Sequence, residues 1–162
     1  MKETIENLTA YQAELPIDVV KAKYQLDHVA RLSANESPYG PSPKVGAALR
    51  AVPDEVLGFY PDGQATLLRQ KVAALEQVDP EYLVFGVGAD ELIQLLTRTV
   101  LTPGGNMVVP APTFGEYALH AQIEQATTKQ VPVDDETGHV DFAAMLAAVD
   151  DRTEMVWLAN PN

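Results

Sequence analysis

A short turn with two glycines separates a predicted strand from a predicted helix. The strand is expected over 82–85, and the residues that follow it, 86–91, read Gly-Val-Gly-Ala-Asp-Glu. Glycines in this pattern permit a tight turn with exposed amides. The amides of Gly88, Ala89 and Asp90 would point out of the helix N-terminus, where they could bind a phosphate. The alternative is an ordinary helix whose first acidic residues only complement its dipole.

An aromatic ring follows the next predicted strand. The strand is expected over 107–109, and 110–114 read Pro-Ala-Pro-Thr-Phe. The two prolines stiffen the strand exit, so the ring of Phe114 would be held in one place. A ring fixed beyond a strand end can stack on a planar ligand. The alternative is that Phe114 covers the hydrophobic core.

Two polar candidates lie earlier in the chain. Asn35 belongs to 32–43, a segment with three prolines and a glycine that we expect to form an ordered, extended arm. Tyr60 precedes a Pro-Asp-Gly turn, which could place its hydroxyl at an exposed tip. The alternatives are an Asx-type turn at Asn35 and a partly buried Tyr60 with its hydroxyl in solvent.

These candidates depend on an alternating series of strands and helices. After residue 80, strands are predicted over 82–85, 107–109, 130–133 and 155–159, with helices over 89–101, over 115–126 and after an Asp141 cap. Such alternation predicts an α/β fold with a mostly parallel sheet covered by helices on both faces. Ligands of these sheets bind beyond the carboxyl ends of the strands, which is where the glycine turn and Phe114 fall.

Composition excludes several function classes. The chain has 162 residues, a formal net charge of −12 and no cysteine. The acidic balance argues against nucleic-acid and anionic-membrane binding, and the absence of cysteine removes disulfides and thiolate metal sites. We find no membrane-length apolar run and no secretory signal, so a cytoplasmic protein is expected. The three histidines, His28, His120 and His139, lack metal-ligand spacing, and we interpret them as surface or structural residues and predict no metal site.

Six segments, in their order along the chain, resemble the histidinol-phosphate aminotransferase family of fold-type I enzymes, which use pyridoxal 5′-phosphate (PLP). They read NLTAYQ at 7–12, ANESPYGPSP at 34–43, YPD at 60–62, GADELI at 88–93, PAPTF at 110–114 and NPN at 160–162. The first, second and fourth are specific in combination, and the others are shared more widely among aminotransferases. The resemblance covers essentially the whole chain. It implies an N-terminal arm over 1–43 and the first part of an incomplete PLP-binding large domain over 44–162.

The resemblance implies cofactor contacts for five residues. In the family, the glycine-alanine-aspartate amides hold the cofactor phosphate, and here they are Gly88, Ala89 and Asp90. The aromatic residue that stacks on the pyridine ring is Phe114, where many relatives have tyrosine. The tyrosine that reaches the cofactor phosphate of the neighbouring subunit is Tyr60, which implies a homodimer.

The resemblance also implies a reaction and two substrate contacts. The family transfers an amino group between L-histidinol phosphate and 2-oxoglutarate in histidine biosynthesis, so the expected partners are a phosphorylated amine and a 2-oxo acid. Tyr11 corresponds to the residue that contacts the substrate phosphate, and Asn35 lies near the amino-acid-like end of the substrate.

The Schiff-base lysine of the family lies downstream of these segments, and none of Lys44, Lys71 and Lys129 matches its motif. We therefore expect this chain alone to be inactive, and the abrupt stop after Asn162 indicates that more polypeptide belongs to it. The alternatives are a truncated, non-catalytic phosphate-binding or dimerisation module, an aromatic amino acid aminotransferase or threonine-phosphate decarboxylase relative, and a stand-alone flavodoxin-like domain.

Overall fold

The computed structural model describes residues 3–6, 8, 14–33 and 35–162. These residues form two compact units. The sheet unit comprises the described residues within 1–9 together with 82–162, and the N-terminal unit comprises those within 10–81. Among the helices described, none is long and apolar enough to cross a membrane. The predicted boundary of the arm at residue 43 stays a prediction.

The described part of the N-terminal unit contains short helices and a 3₁₀ turn. Helix α1, Glu3–Glu6, belongs to the sheet unit, and the N-terminal unit holds α2 (Ile17–Tyr24), α3 (Pro43–Arg50), α4 (Thr66–Glu76) and a 3₁₀ turn over Asp54–Gly58. Ser42 caps α3 by accepting a hydrogen bond from the Lys44 amide.

The sheet unit is a parallel three-stranded sheet with helices between its strands. Its elements are α5 (Gly88–Val100), β1 (Asn106–Ala111), α6 (Glu116–Ile123), β2 (Thr127–Pro132), α7 (Phe142–Ala148) and β3 (Thr153–Val156). The spatial order is β2-β1-β3, and β1 pairs in parallel with both neighbours. Asp141 caps α7 by accepting a hydrogen bond from the Ala144 amide. The α/β prediction with a parallel sheet is therefore confirmed.

The core of this unit lies on both faces of β1. Met107 and Val109 pack on one face with buried residues from α6 and from the end of α5. Val108 packs on the opposite face with Val131 of β2 and Met145 of α7. A central parallel strand must be apolar on both faces, which explains why this run is continuously hydrophobic rather than alternating.

The strand predicted over 82–85 is wrong. A 3₁₀ turn over Pro80–Tyr82 leads instead into a segment outside the three-stranded sheet. Both edges of β1 are already taken by β2 and β3, and the side chains of Tyr82 and Val84 are 83% and 70% exposed. An apolar run forms a strand only where an edge accepts it, and that is not a local property of the run.

The last strand begins two residues earlier than predicted and ends at Val156. A side-chain network at the amino ends of the strands explains its start. The buried Asn106 donates to Asp150 at 2.9 Å and accepts from Thr153 Oγ1 at 2.7 Å. Lys129 Nζ of β2 lies 2.8 Å from the same Asp150 carboxylate. One aspartate therefore connects residues from all three strands.

Charge and hydrogen bonds favour the ionised form of this aspartate. Hydrogen bonds from Lys129 and Asn106, followed by the Arg152 amide, hold the pKa of Asp150 well below its usual range. A lowered pKa in the folded state means that ionised Asp150 stabilises the fold above the ordinary aspartate pKa. This stability is lost as the pH falls through the lowered value.

We predict that Asp150→Asn destabilises the protein at pH 7, because the substitution removes the charge that Lys129 and Asn106 contact. The difference in unfolding free energy from the unchanged protein should shrink as the pH falls below about 3.9, since Asp150 then takes up a proton in the unfolded chain while it stays ionised in the folded protein. Urea unfolding across this pH range measures the difference. Asp151→Asn, at an exposed position in the same turn, is the control and should have little effect at any pH. A difference for Asp150→Asn that is independent of pH would contradict the network's role.

Candidate functional site

The first turn of α5 starts from a backbone conformation that favours glycine. Gly88 is the first residue of the helix and has φ +80°. A Cβ built at this position would meet no atom within 4 Å, so the requirement for glycine comes from the backbone and not from crowding. This conformation places the tight turn where the glycine pattern predicts it.

A neighbouring glutamate takes one of the amides at this helix end. The Glu91 carboxylate accepts a hydrogen bond from the amide of Val87, the N-cap residue. A Cβ on Gly86 would lie 2.7 Å from the same carboxylate, so glycine at 86 leaves room for this bond. The helix then has three first-turn amides, those of 88–90, without an intrahelical acceptor. Their direction and the helix dipole suit an anion.

The aromatic ring predicted beyond β1 is half-exposed and is supported from one side. Phe114 is 46% exposed, and its ring meets that of Tyr117 edge-on with centroids 5.8 Å apart. Tyr117 in turn stacks on Trp157, which follows β3, with centroids 4.8 Å apart. The three aromatic side chains form a row, and Phe114 is at its end. One part of the Phe114 surface therefore remains available to a ligand.

Asn162 joins the segments that leave β1 and β3. Its side chain donates to the Pro112 carbonyl at 2.8 Å and accepts from Thr113 Oγ1 at 2.6 Å. These bonds hold the two residues that precede Phe114. The exits of two neighbouring strands are thus connected at the sheet edge where a ligand site is expected.

A histidine connects the first turns of α5 and α6. His120 Nε2 lies 3.4 Å from the Asp90 carboxylate and 3.6 Å from the Glu116 carboxylate. His120 and Glu116 are buried, whereas Asp90 is exposed. Imidazole and carboxylates are donors that a cation could use, but here the ring nitrogen contacts both carboxylates directly. Sequence reasoning missed this cluster, for which the only local signal is the i,i+4 spacing of Glu116 and His120.

The remaining predicted residues belong to the N-terminal unit or lie outside the described residues. Asn35 has a left-handed backbone with φ +53° and lines a shallow cleft with Arg31 and Glu36. Tyr60 is fully exposed just before the predicted turn, where the Asp62 carboxylate accepts hydrogen bonds from backbone amides. Tyr11 lies outside the described residues.

Comparisons with known proteins agree along the whole chain. A family model described as aminotransferase class I and II matches residues 27–162. The chain is 74% identical to a histidinol-phosphate aminotransferase of Leuconostoc citreum, over 100% of this chain and 46% of that protein. It is 68% identical to the same enzyme of Leuconostoc mesenteroides subsp. mesenteroides, over 100% of this chain and 45% of that protein. The chain thus spans less than half the length of these curated relatives.

The fold comparison agrees with the sequence comparison. The crystal structure of a histidinol-phosphate aminotransferase from Sinorhizobium meliloti, in complex with pyridoxal-5′-phosphate, matches with a TM-score of 0.82 at 26% identity. The match covers 99% of this chain and 42% of that chain. The predicted fold, part of a fold-type I large domain, is confirmed. Since the family model covers well over half of its residues, the chain belongs to the aminotransferase class I and II family.

Proposed function

We propose that this chain is the N-terminal portion of a PLP-dependent histidinol-phosphate aminotransferase, which transfers an amino group between L-histidinol phosphate and 2-oxoglutarate. The observation that carries the proposal is the 74% identity to such an enzyme across every residue of the chain. The geometry of the sheet unit supports it, because this unit contains both the N-terminal turn of α5, whose amides could bind an anion, and the half-exposed ring of Phe114.

The residues of this chain fit the phosphate and the ring of PLP. The phosphate would be held by the amides of Gly88, Ala89 and Asp90, which supply donors without adding a buried counter-charge. The ring would be covered by Phe114, which has about half of its surface free. When bound, PLP supplies an electron sink for the reaction of the amino group. The chain itself binds, orients and shields that group.

Three further residues have proposed roles in binding the cofactor or the substrate. Tyr60, exposed before its turn, would donate its hydroxyl to the cofactor phosphate of the neighbouring subunit. Sharing residues between subunits requires a dimer, and two-fold symmetry is the common arrangement. Tyr11 would contact the substrate phosphate, and Asn35 the amino-acid-like end of the substrate.

The lysine that the family uses as proton carrier and covalent anchor is proposed to lie outside this chain. Lys129 supports this view. Its ammonium group donates to the Ala148 carbonyl at 2.8 Å and contacts Asp150, which bonds to Asn106 at the start of β1. That position is at the opposite end of the strand from Phe114. The remaining lysines considered, Lys44 and Lys71, do not match the family's lysine motif. We therefore propose that residues 1–162 alone do not catalyse transamination.

The test of the function is a transamination assay on the protein that carries this chain, with 2-oxoglutarate as acceptor. We expect kcat/KM for L-histidinol phosphate to exceed that for phenylalanine at least about tenfold, the factor that about 1.4 kcal/mol of phosphate recognition provides. Equal or reversed values would favour an aromatic aminotransferase, and release of carbon dioxide from threonine phosphate would favour a decarboxylase. Absence of any PLP-dependent turnover would favour the non-catalytic module.

We predict that Gly88→Ala weakens PLP binding about tenfold, because loss of one well-directed amide to a charged group amounts to about 1.5 kcal/mol or more. Alanine at φ +80° also destabilises the fold by about 1–2 kcal/mol. Gly104→Ala is the matched control, since Gly104 has φ +87° and open space around it but precedes β1 at the other end of the sheet. Gly104→Ala should lose a similar amount of folding stability but bind PLP with the affinity of the unchanged protein. Equal PLP affinities for the two variants would contradict the phosphate site.

We predict that Phe114→Leu lowers PLP affinity about two- to tenfold, because an aromatic pair contributes about 0.5–1.5 kcal/mol beyond its buried area. Phe114→Tyr keeps the ring and should bind PLP within about twofold of the unchanged protein. The single tryptophan, Trp157, reports binding through quenching of its fluorescence, since it belongs to the same aromatic row. Unchanged affinity for Phe114→Leu would remove Phe114 from the site.

A further inference from the structure

A ligand with a phosphate and a flat ring must contact two separate parts of this protein. The distance between these parts must match the distance between the phosphate and the ring. The phosphate part is the first turn of α5, and the ring part is the segment that ends at Phe114 and leads into α6. Helices α5 and α6 pack against each other in the sheet unit. Whatever fixes the first turns of these two helices relative to each other also fixes the distance between the two parts of the site.

His120, from the last turn of α6, contacts a residue in each of these two first turns. Its Nε2 atom is 3.4 Å from Asp90 Oδ1 on α5 and 3.6 Å from Glu116 Oε2 on α6. An ionised carboxylate only accepts hydrogen bonds, so His120 donates to Asp90 in the tautomer that carries its hydrogen on Nε2. Only 10% of the His120 side chain and 11% of the Glu116 side chain are exposed, against 64% for Asp90. His120 and Glu116 are thus buried, and His120 contacts the exposed Asp90, whose amide belongs to the proposed phosphate site.

Two side-chain interactions hold the first turn of α5. The Val87 amide, directly before the turn, donates to the Glu91 carboxylate. Asp90 is held by His120 from α6. A carboxylate beside an anion site repels the anion, and a hydrogen-bond donor that contacts this carboxylate offsets part of the repulsion. His120 therefore engages the Asp90 carboxylate as well as linking the helices.

We propose that His120 is a positioning residue that sets the distance between the phosphate-binding turn of α5 and the ring of Phe114. It thereby selects ligands in which a phosphate and an aromatic ring are joined by a short linker. This inference rests on the proposed function, because it needs both parts of the PLP site. His120 touches neither the cofactor nor the substrate in this proposal and acts through Asp90.

The test compares PLP with pyridoxal, which has the ring but lacks the phosphate, on the protein that carries this chain. His120→Leu removes the donor at similar volume and should weaken PLP binding about tenfold, the loss expected for a hydrogen bond to a charged group. Pyridoxal affinity should change less than about twofold, since the ring contact does not depend on the turn. Trp157 fluorescence and equilibrium dialysis give both dissociation constants.

Rescue separates positioning from general support of the fold. His120→Gln places an amide nitrogen with two hydrogens between the carboxylates and should keep PLP affinity within about threefold of the unchanged protein. His28→Leu, at an exposed position in the N-terminal unit, is the matched control and should change neither affinity. Because His120→Leu leaves a buried carboxylate unpaired, its folding is checked by circular dichroism, and Glu116→Gln provides a milder second disruption of the same link.

Each result has one meaning. A selective loss of PLP affinity in His120→Leu or Glu116→Gln, with rescue by His120→Gln, supports the inference. Equal loss for PLP and pyridoxal, or no loss for either, overturns it and leaves the proposed function intact. If the unchanged protein does not prefer PLP to pyridoxal, the phosphate site itself is wrong, and the proposed function fails together with the inference.

Discussion

Burial of β1 on both faces and both edges is the constraint on which the sheet unit depends. Its residues Met107, Val108 and Val109 are essentially inaccessible to solvent, and β2 and β3 take its two edges. A strand buried in this way pairs with a neighbour on each edge, and its side chains contact helices on each side. The helices can be placed only where they cover it. The exits of β1 and β3 consequently lie side by side.

The two ends of the sheet carry different kinds of side chain. The amino ends are held by a polar network in which Asp150 contacts Lys129 and Asn106. The carboxyl ends carry the segment 110–114, held by the Asn162 side chain, and the row of aromatic rings. Lys129 thus has a structural role at the amino ends of the strands. The carboxyl ends carry backbone amides and the aromatic surface of Phe114. This division is typical of parallel sheets, in which ligands bind beyond the carboxyl ends.

The first turn of α5 also shows how acidic residues can lie beside amides that could bind an anion. The protein has a net charge of −12, and Asp90 and Glu91 both lie in the first turn of α5. Each carboxylate is nevertheless engaged, Glu91 by the Val87 amide and Asp90 by His120. The first-turn amides, at 88–90, have no acceptor within the helix. Local geometry therefore outweighs the overall charge in deciding what this end of the helix can bind.

By itself, the sequence determined the features that depend on local chemistry. The helix starts at Ser42 and Asp141 follow from their side-chain caps, and the glycine turn at Gly88 follows from a backbone conformation that favours glycine. The apolar run of β1 and the parallel sheet follow from hydrophobic periodicity. The proposed cofactor contacts likewise come from short segments read in order along the chain.

Only the tertiary structure decided which elements meet. The run over 82–85 looks like a strand but lies outside the three-stranded sheet, and Tyr82 and Val84 within it are exposed. The link from His120 to Asp90 joins residues 30 positions apart, and the bonds from Asn162 to Pro112 and Thr113 join residues about 50 positions apart. No local pattern encodes such contacts, because they exist only once β1 has brought α5, α6 and the strand exits to their places. Hydrophobic periodicity predicts which face of a helix or strand is buried, whereas tertiary packing decides which other element covers that face.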